Sequence, residues 1–368
     1  MRAAAAEERA PTLWAEIGPH RYPLHVGAGL LAHAAELWAA RAVADGVLLV
    51  HDGNVAHLAE PLAAGLEQAG LRVVPAPVPP GEGSKSLAEV ERLCRLAARA
   101  GLRRADAVLA LGGGVVGDLA GFVAASYQRG VRLAHVPTTL LAMVDSAIGG
   151  KTGVDLPEAK NYVGAVWQPE LVLMDTDALR SLPPRELACG FAEVVKTGLL
   201  NGPDLFTAVE GWSELPGPDE PLAALIRACV EHKLAVVAAD ERDHGLRATL
   251  NLGHTVGHAI EAVGGYQRYR HGEAISLGLL AALRISCDRA GLDEGWRVRT
   301  GAILARHGLP TRLDAGIATG AILEAMGRDK KADGRSLNMV LLSEPGQPVL
   351  RADPPPELVR AAIEELRG

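Results

Sequence analysis

Ala107-Val108-Leu109-Ala110-Leu111-Gly112-Gly113-Gly114-Val115-Val116-Gly117-Asp118 is the stretch on which the fold turns. Five apolar residues bounded by Asp106 and Gly112 read as a short strand buried on both faces. The glycines then make a tight turn, and Leu119–Ala125 continues with helical spacing. A buried strand that feeds a glycine turn and a helix is the unit of parallel α/β sheets. The turn also has a chemical reading. Glycines there let backbone N–H groups approach a phosphate, and the helix N-terminus adds partial positive charge. The spacing is not GxGxxG, and no Lys-Ser/Thr pair follows as in a P-loop, so a purely structural turn stays open at this point.

Working outward, the same alternation recurs. Tyr22–Val26, Val47–Val50, Val73–Val78, Val131–Val136 and Leu171–Met174 read as strands. Between them, Leu58–Ala69 and Ser86–Ala100 have helical spacing and stop at Gly70 and Gly101. After about residue 180 the texture changes. Pro183-Pro184-Arg185-Glu186 opens a helix with proline in its first turn. Leu187–Leu199, Leu222–Ala239, His254–Val263, Ala274–Ala290 and Val298–His307 follow as helices, with Leu337–Leu342 as a late strand. The expectation is an α/β domain with a mostly parallel sheet over residues 1–180 and a mainly α-helical domain over 181–368. The chain has 368 residues, enough for two domains at roughly 150 residues each.

Composition narrows the function classes. Hydrophobic residues make up 48% of the chain, so it has material for real cores and is not disordered. The formal net charge of -7 argues against a general nucleic-acid binder. Cys94, Cys189, Cys229 and Cys287 are scattered with no CxxC pair, which suits reduced structural thiols. The first eleven residues lack the apolar core of a signal peptide. No uncharged apolar run approaches the ~18 residues that cross a bilayer. A soluble, cytoplasmic protein with no membrane partner is expected.

Several polar groups fall where chemistry is done. Asp52 ends a strand, the place where a carboxylate can hold a ribose hydroxyl. Glu82-Gly83-Ser84-Lys85 lies in another strand-to-helix loop, with a lysine suited to an anion or to a solvated cap. Thr138 and Thr139 offer adjacent hydroxyls after a strand. Asp145 and Lys151 bracket a flexible glycine-containing loop, and Lys160-Asn161 follow, a mix suited to closing on an anionic ligand. Further on, Glu193 and Lys196 share a helical face, and His254 and His258 are four apart on another. His271 follows. Glu plus two His is a catalytic zinc set with an open position, although the spacing is not HExxH. Spacing alone does not say which two of the three histidines are ligands.

At this point whole motifs carry more than spacing. GGGVVGDLAGFVAASYQRG (112–130), VPTTLLAMVDSAIGGKTGVD (136–155), KNYVGAVWQP (160–169), LPPRELACGFAEVVKTGLL (182–200), DERDHGLRATLNLGHTVGHAIE (240–261), HGEAISLG (271–278) and RDKKADG (328–334) resemble the 3-dehydroquinate synthase family, in the family's order. The resemblance runs from about residue 20 to the end. It implies an NAD- and divalent-metal-dependent cyclase, using zinc or cobalt and usually homodimeric. Such an enzyme turns a phosphorylated sugar acid, 3-deoxy-D-arabino-heptulosonate 7-phosphate, into 3-dehydroquinate and phosphate in the shikimate pathway.

Carried over by motif, the resemblance implies Glu193, His254 and His271 as metal ligands and His258 as a proton-relay residue. It implies NAD contacts at Asp52, Asn54, Glu82, Lys85, Gly114, Val115, Val116, Gly117, Asp118, Thr138, Thr139, Lys151 and Lys160. Lys233 and Arg247 match the clamp for the substrate carboxylate. Asp145, Asn161, Lys196, Asn251, Lys330 and Lys331 match further site positions, with Lys151 also near the phosphate and Arg129 reaching a neighbouring subunit's phosphate. Ala147, Ser126 and Thr197 depart from the family pattern without removing a named chemical group, and residues 1–12 lie outside it as an expected frayed arm. Related cyclases remain as alternatives: an amino-dehydroquinate synthase, a valiolone-type cyclase or a 2-deoxy-scyllo-inosose synthase. A metal-dependent polyol dehydrogenase is the competing reaction class.

Overall fold

The computed structural model describes residues 12–41, 44–214, 220–243, 245–333 and 338–367. They divide into two compact units, one formed by the described residues of Met1–Leu182 and Gly217–Arg242, the other by those of Pro183–Pro216 and Asp243–Gly368.

The first unit is built on a seven-stranded sheet. Its strands are β1 (Thr12–Ile17), β2 (His20–Gly27), β3 (Gly46–Asp52), β4 (Arg72–Val78), β5 (Ala107–Gly112), β6 (Arg132–Pro137) and β9 (Leu171–Asp175); two further strands, β7 (Lys151–Leu156) and β8 (Ala159–Val166), pair apart from it. The order is β1-β2-β9-β6-β5-β3-β4. Only β1 runs antiparallel, against β2. β5 lies inside the sheet, with Leu109 opposite both Leu49 of β3 and Ala134 of β6. Alternate residues face opposite layers, as the pleat requires. Val47, Leu49, Leu109 and Leu111 pack with Leu62 and Leu66 of the Ala56–Gln68 helix. Leu48, Val50, Val108 and Ala110 pack with Leu93 of the Leu87–Arg99 helix and with Leu119 and Val123 of the Gly114–Ser126 helix. Both faces of β5 are covered, which is why it reads as unbroken apolar sequence.

Local signals set the boundaries. Ser86 caps the Leu87–Arg99 helix by accepting from Glu89 N at 3.3 Å, and Gly101 leaves it with φ 68°. Asp52 closes β3 by accepting the Asn54 N–H at 2.8 Å.

Three expectations change. The Val144–Gly153 segment is not a flexible loop: Ala142–Ser146 forms a π-helical turn and Lys151 begins a β7–β8 antiparallel hairpin. Thr12 opens β1, paired with His25, so the expected frayed arm ends before it; residues 1–11 lie outside the described residues. The Glu220–Ala239 helix, read with the C-terminal part, belongs to the first unit. It buries Leu222, Ile226, Val230 and Val237, Lys233 is bonded to Asp145, and Gln168 Nε2 donates to Glu241 just beyond it at 2.8 Å.

The second unit is mainly helical. Its helices are Pro184–Asn201, Pro203–Glu210, His254–Val263, His271–Ala290, Glu294–Arg306, Thr319–Asp333 and Pro356–Glu365, with one hairpin, Met339–Glu344 and Gln347–Ala352. Glycines bring three of these helices into near contact. A Cβ on Gly278 would strike the Gly253 carbonyl, one on Gly272 would strike the Cys189 backbone, and one on Gly257 would lie 2.8 Å from Ile275. No residue with a side chain fits these crossings, so the helices bearing Glu193, His254 and His271 are held close and rigid.

Candidate functional site

In the first unit the glycine turn itself starts the helix. Gly113 is the N-cap and Gly114 the first residue of Gly114–Ser126, a turn earlier than the apolar spacing indicated. The glycines are required by close approach. A Cβ on Gly112 would lie 2.7 Å from Val116, and one on Gly114 would lie 3.0 Å from the Ser146 hydroxyl. The first N–H groups of a helix have no intrahelical acceptor, and here the N-cap, Gly113, has no side chain to bond them. That shape and polarity fit a phosphate group.

Charged residues around the turn are paired with one another. Lys85, 6% exposed, places Nζ 2.6 Å from Asp118 Oδ2 and also donates to Asn161 Oδ1. Asn161, with φ 56°, donates its backbone N–H to Asp155 at 2.7 Å, and Asp155 N donates to the Lys85 carbonyl at 2.9 Å. Lys160 Nζ lies 3.4 Å from Glu82. The β7–β8 hairpin is therefore tied to the Glu82–Ser84 turn through Lys85. Burial works against the Lys85 charge, but Asp118 and neighbouring carboxylates more than offset it and raise its pKa. Burial pushes the Asp118 carboxyl up despite Lys85. The Thr138 N–H donates to Gly112 O at 3.0 Å, and the Thr139 hydroxyl accepts from Ala142 N at 3.1 Å. Lys233 Nζ donates to the Asp145 carboxylate at 2.6 Å and to the Asp145 carbonyl at 2.5 Å. Lys151 is exposed at the start of β7, and Arg129 is exposed with φ 63°.

In the second unit, Glu193, His254 and His271 each offer one ligand atom, all within 4.8 Å of one another. His254 Nε2 and His271 Nε2 lie 3.7 and 3.5 Å from Glu193 Oε1. Glu193 Oε2 is held by the buried Lys196 ammonium, whereas the buried Oε1 has no hydrogen-bond donor. A buried carboxylate oxygen lacking a donor is costly. One oxygen and two imidazole nitrogens around it are the donor set of a catalytic zinc site, so the residues fit a divalent cation.

Electrostatics sharpen the picture. Burial opposes the Glu193 charge, but Lys196 and the two rings outweigh it and hold the carboxyl well below its usual range. Burial, with the Lys196 charge beside it, drives His254 well below its ordinary value. Burial also works against a charged His271, yet the Glu193 and Glu261 carboxylates beside it raise it to about 10.

His258 is exposed, its ring centroid 5.1 Å from His254 and 5.9 Å from His271. It forms a second candidate set with Glu261 and His271. Arg247 is buried in the Leu246–Asn251 turn, which ends at the exposed Asn251. Lys330 and Lys331 fall in the Thr319–Asp333 helix, and their side chains lie outside the described residues. The sequence reading passed over Glu261, whose carboxylate lies 3.1 Å from His271 Nδ1. Its signal is present: residues 254, 258 and 261 share one helical face.

Solved structures with this architecture identify the class. The structure of 2-deoxy-scyllo-inosose synthase complexed with carbaglucose-6-phosphate, NAD+ and Co2+ superposes with a TM-score of 0.85 at 27% identity, covering 96% of this chain and 99% of that one. The 2-epi-5-epi-valiolone synthase of Streptomyces hygroscopicus, with NAD+ and Zn2+ bound, gives 0.85 at 28% identity, covering 94% and 96%. The fold is thus that of the dehydroquinate synthase-like sugar phosphate cyclases. Within that class, family models for the 3-dehydroquinate synthase N-terminal and C-terminal regions match residues 75–189 and 190–332. A 3-dehydroquinate synthase of Symbiobacterium thermophilum is 46% identical over 358 residues, 96% of this chain and 99% of its own. The chain belongs to the 3-dehydroquinate synthase family.

Proposed function

We propose that this chain converts 3-deoxy-D-arabino-heptulosonate 7-phosphate into 3-dehydroquinate and phosphate, with NAD and a zinc or cobalt ion as resident cofactors. The observation that carries the reading is the Glu193–His254–His271 set with its orphaned, buried Glu193 Oε1, in a chain of this family. When bound, NAD takes up and returns a hydride, and the cation polarises the oxygen being oxidised.

The chain's own residues bind and orient. The N–H groups of the Gly114–Asp118 turn receive the NAD phosphates, and Asp52 accepts from a ribose hydroxyl. Asn54, Glu82, Thr138, Thr139, Lys151 and Lys160 are further NAD positions. Lys85 serves the cofactor through the hairpin and Asp118, since its ammonium is already bonded to them. Arg247 suits a planar carboxylate, and Asp145 bonds the Lys233 ammonium, which matches the same clamp. Lys151, Asn161, Lys196, Asn251, Lys330 and Lys331 supply point charge and donors for the phosphate and hydroxyl groups. His258 relays a proton. Holding the substrate phosphate near the acidified C–H lets the leaving group take that proton itself, so positioning is the chain's main contribution.

We further place the enzyme in the cytoplasm as a homodimer, with Arg129 reaching the partner's substrate phosphate. The exposure of Arg129, Tyr162 and Val166 supports a partner surface. No helix among the described residues is long and apolar enough to cross a membrane. Neither nucleic acid nor membrane is a proposed partner.

The test is phosphate release from the heptulosonate phosphate, with and without chelator. Release that needs the metal, without NADH accumulation, is expected. Stoichiometric NADH would instead make the chain a polyol dehydrogenase. Turnover of only the amino analogue would make it an amino-dehydroquinate synthase.

A further inference from the structure

His254 and His271 present Nε2 to the same oxygen of Glu193, and their Nδ1 atoms face other oxygens. For His254 the second partner is the Leu252 carbonyl at 3.2 Å; for His271 it is Glu261 Oε2 at 3.1 Å. A neutral imidazole carries one proton, and the acceptor beside one nitrogen decides which lone pair is left for a cation. The Glu261 side chain is only 7% exposed, so its interaction with the ring is little screened by water.

Two candidate sets share His271 and make opposite demands on it. The Glu193–His254–His271 set uses Nε2, which faces Glu193. The His258–Glu261–His271 set would use Nδ1, which faces Glu261. Glu193 and His254 are buried, and Glu193 Oε1, the oxygen that faces both Nε2 atoms, lacks a donor, whereas His258 is exposed. The unmet demand for a cation lies on the Nε2 side.

We infer that Glu261 is a positioning residue whose carboxylate accepts the Nδ1–H of His271 and so commits Nε2 to the metal. The inference rests on the proposed metal set. The Leu252 carbonyl does the same for His254, but it is neutral and belongs to the backbone. Glu261 is the side chain that sets both ring orientation and ligand basicity.

The test is zinc affinity of the full chain, by competition with a chromophoric chelator, for the parent, Glu261→Ala, Glu261→Gln and His254→Ala. Glu261→Ala is expected to weaken zinc binding by about 10–100-fold. Glu261→Gln should lose less, because its amide oxygen still accepts the Nδ1–H. His254→Ala should lose more than either. In the zinc-loaded protein, nitrogen NMR should show the His271 Nδ1–H protected from exchange in the parent and in Glu261→Gln, and exchanging faster in Glu261→Ala. Parent-like affinity in Glu261→Ala, with His254→Ala weakened, overturns the positioning role alone. Parent-like affinity in both overturns the metal assignment and the positioning role with it. Should Glu261→Ala not fold, Glu261→Asp, a methylene shorter than the 3.1 Å contact needs, takes its place with the same outcomes.

Discussion

The two units treat buried charge differently. Around the glycine turn of the first, Lys85 is matched by Asp118, Lys233 by Asp145 and Lys160 by Glu82, leaving backbone N–H groups to meet a ligand. In the second, Lys196 is matched by Glu193 Oε2, but Oε1 and two imidazole nitrogens face one another with no donor to that oxygen. The first unit is complete in itself and offers a shape. The second is incomplete without a cation. Side-chain substitutions should therefore cost the first unit stability and the second its metal.

The largest expected effect tests that division directly. His254→Ala and His271→Ala should each abolish zinc retention through dialysis, read by metal analysis of the purified protein. His258→Ala should retain zinc and slow turnover, since it stands outside the buried set. Equal metal loss in all three variants would move the site to the exposed side of His271.

A smaller effect is expected at Lys85. Removing one member of a buried ion pair strands the other, at about 3–5 kcal/mol. Lys85→Met should lower unfolding stability by that order, because Asp118 and Asn161 both lose their ammonium. Adding Asp118→Leu should restore much of the loss. Zinc content should not change in either variant. A Lys85→Met protein as stable as the parent, but defective in NAD binding, would return the lysine to the direct cofactor contact that the motif implied.

That possibility shows how far the sequence could be read. The buried strand at Ala107, its glycine turn and most helices are local patterns, visible because burial on both faces or on one stripe writes itself into hydrophobic spacing. The β7–β8 hairpin was not visible as structure. Its glycines and charges look like a loop, and what holds it is a tether from Lys85, far away in the chain. The Glu220–Ala239 helix had the right spacing, but an apolar stripe does not name the surface it covers. Spacing likewise left three histidines as equals. Burial and ring orientation separate His258 from the other two, and the orientation of His271 makes Glu261 meaningful.

The smallest effect concerns a histidine that neither site uses. His135 lies in β6 behind the glycine turn, where a Cβ on Gly117 would sit 3.6 Å from its ring. Burial alone lowers it to about 4, while His271, flanked by two carboxylates, is raised to about 10. The unfolded chain takes up a proton on His135 near its ordinary value of about 6.5, and the folded protein resists until about 4. Between those values the unfolded state binds more protons, so this contribution is whole above the upper value and is lost as pH falls through the window. The full loss is on the order of 3 kcal/mol, at roughly 1.4 kcal/mol per unit. His135→Leu keeps an apolar side chain of similar size and removes the titration. Chemical denaturation at neutral pH and near pH 4.5 should show a smaller acid loss in the variant than in the parent. Identical acid losses would mean that the ring is protonated in the folded state, and that the first unit, too, holds an unmatched charge behind its ligand turn.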